Sequence, residues 1–169
     1  MLFRSYEGFH FLGHLQSNKI NQLLSLKPLL IHSIDSFFLA EKLHRALGRT
    51  NRTQDILTQV NTTQEESKSG VTFDNVREMF WQIAALSTLR VRGFMTIGKL
   101  HPNPEISRPY FKMLKELIDE IKEQNVENLR LDYLSMGMSH DWKIAIQEGS
   151  NMVRIGSSIF GERHYGDDI

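Results

Sequence analysis

The residues best able to do chemistry lie in the last third of the chain, in LSMGMSHDWKIAIQEGSNMVRIGSSIFG at residues 134–161. Two short apolar runs, residues 131–136 and 152–155, each break into glycines and hydroxyls, the pattern of a strand that runs into an anion-binding turn. The second turn offers Gly156, Ser157 and Ser158. Backbone N–H groups left uncovered at a glycine and joined by neighbouring hydroxyls suit a phosphate, especially where a helix follows. Arg154, just before that turn, would bring a fixed positive charge to the same mouth. In the first turn, Ser139 can cap a helix through Ile146 that Gly149 would end, with Trp142 and Ile146 on one face. The same residues also make an ordinary strand-to-helix connection, and spacing alone leaves both readings open.

Elsewhere the candidates are weaker. His10 and His14 are spaced i, i+4, but on a strand-to-loop segment that spacing does not put them on one helical face, and no carboxylate pair stands near them in sequence to complete a metal site. His140 and Asp141 could form an acid/base pair, yet an aspartate in a first helical turn is explained by the helix dipole alone. The methionines at 79, 95, 113, 136, 138 and 152 fall mostly at core-facing positions, with Met138 placed for a ligand. The sequence assigns no Ser-His-Asp constellation.

Elements that alternate between strand and helix must position these residues. Phe9 to Leu12 is a short strand stopped by Gly13, and Leu15, Ile20, Leu23 and Leu24 recur at near-helical spacing before Pro28. Residues 29–34 form the next strand. Asp35 or Ser36 can cap a helix whose Phe38, Leu39, Leu43 and Leu47 make an apolar stripe ending at Gly48. ILTQV, within residues 55–60, reads as a strand, and the polar NTTQEESKSG after it as a long loop. Thr72 then caps a helix carrying Val76, Met79, Phe80, Ile83 and Ala84. Residues 89–97 form the fourth strand, and Pro109 opens the longest helix, faced by Phe111, Leu114, Leu117, Ile118 and Ile121. Its Lys112–Glu116 and Lys115–Asp119 pairs read as a solvated surface. With the two runs described first, the series reaches six strands and five intervening helices.

The composition bounds the function. At 169 residues, 40% hydrophobic and 24% charged, the chain suits one soluble domain. Lys plus Arg equals Asp plus Glu at 20 each, so no overall basic field attracts nucleic acid or an anionic membrane. The absence of cysteine excludes disulfides, thiolate metal sites and a thiol nucleophile, and fits a reducing compartment. No apolar run approaches the roughly 20 residues that span a bilayer, and MLFRSYEG lacks a signal-peptide pattern, so a cytoplasmic protein is expected.

A βαβα alternation with short connections implies parallel strands covered by helices, either an open doubly wound sheet or a (β/α) barrel. No GxGxxG follows the first strand and no phosphate-binding GxxxxGK[ST] loop occurs, which removes support for the nucleotide-binding open sheet. His14, Gln16, Asn18, Asn61, Lys68, Thr96, Ser139 and Ser157 all follow strand ends, as befits the C-terminal face of a barrel.

Five blocks then carry a family resemblance: HFLGHLQSNK (10–19), ILTQVNTTQEESKSG (56–70), RVRGFMTI (90–97), LSMGMSHD (134–141) and MVRIGSSIFGER (152–163). In order and spacing they resemble the pyridoxal phosphate homeostasis proteins, single-domain relatives of the N-terminal barrel of bacterial alanine racemase. The resemblance implies an α/β fold of the TIM-type (β/α)8 kind, here incomplete with about six β/α units, as one partial domain over residues 1–169. It implies pyridoxal 5′-phosphate (PLP) held at the mouth, a role in cofactor balance, and no established turnover of a substrate. By motif, the family's phosphate-binding positions fall on Ser139, Gly156 and Ser157. Arg154 matches the arginine that reaches towards the cofactor, and Met138 and Asn18 would line the pocket. Family members often carry threonine where this chain has Ser157, which keeps the hydroxyl.

The departure from the family is at the front. The usual Ser-Lys-Thr-Lys strand, whose lysine forms the Schiff base, and the Gly-Glu-Asn-Tyr strand are absent, so the chain begins at what resembles the family's third strand. The expectation is a fragment or truncated product, or a barrel gap filled by another copy. A monomer is expected of the family, and the gap would permit self-association. Lys19 and Lys68 are the candidate substitutes for the lysine, although on a predicted helix and in a polar loop a lysine is ordinarily a solvated cation. Three functions follow: a non-catalytic PLP-binding protein impaired by the missing lysine segment, a racemase-like enzyme acting on amino acids, or a remnant that binds no cofactor.

Overall fold

The computed structural model describes residues 8–65, 67–127 and 129–161. Strand β1 (His10–Phe11) leads through a 3-10 turn (Ser17–Lys19) into helix α1 (Ile20–Ser25). Then come β2 (Leu30–Ile34), α2 (Phe37–Gly48) and β3 (Gln54–Asn61). A two-residue strand β4 (Val71–Thr72) precedes α3 (Val76–Ala84), β5 (Leu89–Met95) and, after a 3-10 turn at Pro104–Ser107, α4 (Arg108–Glu123). The chain closes with β6 (Tyr133–Met138), α5 (Trp142–Gln147), β7 (Met152–Arg154) and α6 (Ser157–Phe160).

Every pairing is parallel, in the order β1-β2-β3-β5-β6-β7, with β4 beside the end of β3. This is a six-stranded arc of a (β/α) barrel, with β1 and β7 as its two edges among the described residues. The expected single domain over residues 1–169 reaches 1–7 and 162–169, and the resemblance blocks include Glu66, Glu162 and Arg163; all these lie outside the described residues.

Two apolar groups hold the arc. The larger lies between sheet and helices, where Ile31, Ile34, Ile56, Val60, Val91 and Phe94 from the strands meet Leu43, Leu47, Phe80, Phe111, Leu114 and Leu117 from the helices. The smaller is built from strands alone: Leu30, Leu57 and Met95, flanked by Tyr133 and Met152. With no helix residue in it, this group lies on the concave face, the barrel interior. Asp55 pairs with Arg90 and Arg92, and Arg92 also with Asp132, at the strand starts and so at the end opposite the mouth, where such networks serve stability.

Strict alternation fails at three places, each with one extra residue on one strand. β2 uses three residues from Ile31 to Ile34 where β3 uses two, from Ile56 to Thr58. β5 takes the extra residue between Val91 and Phe94, and β6 between Ser135 and Met138. Gly93 and Gly137 occupy the last two irregularities at φ 145° and 92°. A Cβ on Gly93 would run into the Tyr133 carbonyl, and one on Gly137 would sit 2.5 Å from the Ala145 Cβ. Both positions therefore need glycine.

Some local expectations are corrected. Thr72 does not cap α3; it pairs with Asn61 in β4, and Asn75 stands at the helix start. Ser139 does not cap α5, which begins after Asp141, because its hydroxyl is used elsewhere. The buried face of α5 is Ile144 and Ala145, while Ile146 is exposed and Trp142 half-buried, since a six-residue helix has only one inward turn. Ser36 does cap α2, accepting from the Leu39 N–H at 3.4 Å. Along α4 the Lys112–Glu116 pair lies at 3.8 Å and Lys115 pairs with Asp119, on the face opposite the core.

Candidate functional site

The loops after β5, β6 and β7 enclose a cavity of about 750 Å³ at the C-terminal end of the strands. Met138, Ser139, Gly156 and Ser157 all line it, facing a wall of Ile97, Gly98, Lys99 and Leu100 from the loop after β5. Four residues singled out in the sequence thus share one cavity. The β6 irregularity at Gly137 and the turn after β7 bring Ser139 and Gly156 together.

At the base of that cavity two backbone amides converge on one oxygen. The N–H groups of Gly156 and Ser158 donate to the Ser139 Oγ at 3.0 and 3.3 Å, and the Ser158 hydroxyl donates to the Ser139 carbonyl at 3.4 Å. Asp141, buried behind the turn, accepts from the Met138 N–H at 2.8 Å and fixes the loop. Asp141 therefore has a structural partner, and His140 lies at its own contact, 2.7 Å from the His101 carbonyl. A Cβ at Gly156 would meet nothing within 4 Å, so the space beside the cradle is open.

Arg154 does not line this cavity. Its guanidinium turns into the barrel interior, where Nη1 donates to the Ser135 Oγ at 2.8 Å and Nη2 to the Thr96 carbonyl at 2.8 Å. No carboxylate lies within ion-pair distance of it among the described residues. Burial pulls its pKa down to about 10, opposed by Asp141, and it stays charged at neutral pH. A half-buried cation held, among the described residues, by a hydroxyl and a carbonyl is electrostatically incomplete, and an anion at the mouth would complete it.

Ser135 links this arginine to two histidines. Its Oγ lies 3.0 Å from the His32 Nδ1, and the His32 Nε2 lies 3.1 Å from the His10 Nδ1. Burial, followed by His10 and Arg154, pulls the His32 pKa down to about 3, which leaves the ring neutral. Sequence reasoning passed over His32. Its signal was a histidine in the middle of the apolar LLIHSI, where a polar group must find a partner.

The remaining candidates fall elsewhere. Asn18 is exposed in the 3-10 turn after β1 and lines neither this cavity nor a second one of about 480 Å³ beside β1. Lys19 lines that second cavity with Phe9, Phe11 and Leu23. Lys68 is not a freely solvated cation: its Nζ donates to Glu65 and to the Gly98 carbonyl, both at 3.0 Å. Among the described residues no group of three or more His, Asp or Glu is placed to hold a metal.

Residues 9–164 match the model of the family described as alanine racemase, N-terminal domain. The pyridoxal phosphate homeostasis protein of Aquifex aeolicus is 45% identical over 157 residues, covering 93% of this chain and 68% of its own length. This chain belongs to the pyridoxal phosphate homeostasis proteins. Among solved structures it is similar to a protein of Bifidobacterium adolescentis described as unknown (TM-score 0.85, 38% identity, 90% of this chain and 60% of that one). It is also similar to PipY of Synechococcus elongatus with PLP bound (TM-score 0.79, 33% identity, 91% and 70%). The chain thus spans about two thirds of the length of these three proteins. Met138, Ser139, Gly156 and Ser157 thus bring amides and hydroxyls together at one mouth, with the Arg154 guanidinium turned away into the barrel interior.

Proposed function

We propose that this chain binds PLP at the mouth of its barrel and acts in cofactor homeostasis, without turning over a substrate. The observation that carries the reading is Arg154, a half-buried guanidinium with no carboxylate within ion-pair distance among the described residues, two residues before a turn whose amides converge on one oxygen. In this reading the Ser139 hydroxyl holds the place of an anion oxygen. A phosphate oxygen takes that place when the Ser139 side chain rotates aside, and the phosphate is received by the Gly156 N–H and the Ser139 and Ser157 hydroxyls, with no change to the backbone. Arg154 supplies the charge from below and Met138 flanks the ring. When bound, PLP supplies an aldehyde that condenses with amines. The partner is a small molecule, with neither nucleic acid nor membrane involved, and the protein works as a cytoplasmic monomer of one domain over residues 1–169.

Titration of the purified chain with PLP by absorbance, followed by borohydride reduction and mass spectrometry, tests the reading. Saturable binding with no lysine adduct, competed by inorganic phosphate, is the expected result. No saturable binding would overturn it. A reduced adduct on Lys19 or Lys68 would instead favour an enzyme.

A further inference from the structure

The polar groups on the concave face form one continuous chain across four strands. It runs from His10 on β1 to His32 on β2 (3.1 Å), from His32 to Ser135 on β6 (3.0 Å), and from Arg154 on β7 to Ser135 and the Thr96 carbonyl (2.8 Å each). His32, Ser135 and Thr96 are all fully buried. The Thr96 hydroxyl is committed in turn, donating to the Val60 carbonyl at 2.7 Å. Nothing in the phosphate cradle requires these groups, and as core residues they would be better replaced by apolar side chains of the same volume.

The protons decide what the chain does. An arginine only donates, so the Ser135 Oγ is the acceptor of the Nη1 bond. Among the described residues its own proton has one partner, the His32 Nδ1, and a neutral ring that accepts there carries its hydrogen on Nε2, pointed at His10. With its proton committed to His32, the serine presents only lone pairs to Arg154. We infer that His32 and Ser135 are positioning residues that hold the Arg154 guanidinium in one place and orientation beneath the mouth, ahead of ligand binding. This rests on the PLP reading for its purpose, although the ordering of Arg154 belongs to the free protein. A flexible arginine would have to be ordered when the anion arrives, and that entropy would be subtracted from the affinity.

Two measurements on the full chain test it. The first needs no ligand: the guanidinium ¹H–¹⁵N signals of Arg154 by NMR, assigned with Arg154→Ala. Sharp, slowly exchanging signals are expected in the unsubstituted chain and in His32→Gln, whose amide oxygen can still accept from Ser135. Averaged signals are expected in His32→Leu and Ser135→Ala. Signals unchanged in both of these variants overturn the inference, whatever the ligand. The second is the Kd for PLP. His32→Leu should weaken binding about tenfold, roughly the worth of one charge-assisted hydrogen bond, and His32→Gln should restore most of it. In an Arg154→Ala background, His32→Leu should cost nothing further; the same tenfold loss there would mean that His32 acts on the fold alone and would overturn the inference. Failure of the unsubstituted chain to bind PLP would refute the proposed function and leave the NMR result to decide the positioning.

Discussion

Arg154 carries a charge in a place where burial makes charge expensive, and that cost defines the residue scale of this protein. Its guanidinium is held by a hydroxyl and a carbonyl, and the strongest way to complete it is an anion at the cradle a few residues away. Arg154→Ala should weaken PLP binding by about 1–3 kcal/mol, read as a shift in Kd, because a charge-assisted contact is lost. Ser157→Ala should have an effect in the same range, since a hydroxyl donor is removed while the Gly156 amide remains. His32 makes a different prediction, about pH. Its folded pKa of about 3 lies below the ordinary 6.5, so between those values the unfolded chain binds the extra proton. Stability is therefore full above about pH 6.5 and falls as pH drops towards 3, by a few kcal/mol from this group. Denaturant titrations at pH 7 and pH 4.5 should show a smaller difference between the two pH values in His32→Gln than in the unsubstituted chain. Equal differences would show that the ring is protonated in the folded state.

The register shifts decide the element scale. In a parallel sheet each strand would show alternate residues to the helices and to the interior, and one extra residue reverses that pattern. On β2, Ile31 and Ile34 both reach the helix-side core while Leu30 faces inward, because a residue is added between them. On β6 the addition at Gly137 lets Ser135 face Arg154 and Met138 reach the mouth. Gly93→Ala should destabilise the fold by roughly 3 kcal/mol or more, because a positive φ and a collision with the Tyr133 carbonyl act together. Gly137→Ala pushes α5 away from β6 and should cost stability and PLP affinity in one step, measurable by thermal unfolding and titration of the same sample. Neither shift was legible in sequence, where Gly93 and Gly137 look like breaks in apolar runs. Most elements were legible: the α4 stripe from Phe111 to Ile121 is buried as its spacing requires. The cap of α5 was misread because Ser139 and Asp141 compete for one turn, and only the approach of the Gly156 amide settles which residue does what.

At the scale of the whole molecule, the sheet is an arc with its longest strand, β3, near the middle and short strands, β1 and β7, at its edges. Hydrogen exchange should follow that arrangement, with the amides of β3 and β5 the last to exchange and those of β1 and β7 among the first. Uniform protection across all six strands would show that the edges are covered in solution. The sequence alone determined the alternation of strands and helices, the parallel sheet, the position of the mouth and the family, because periodicity, capping and turn chemistry are local and survive without coordinates. It also placed Met138, Ser139, Gly156 and Ser157 after strands whose ends would meet. Only the tertiary structure decided that Arg154 points inward rather than into the mouth and that the Ser139 hydroxyl already fills the cradle. The partnership of His32 with a serine 103 residues away belongs there too. Those facts depend on which residues face one another across the barrel, and strand register, set by one added residue at each of three places, is a property of pairs of strands that no single stretch of sequence contains.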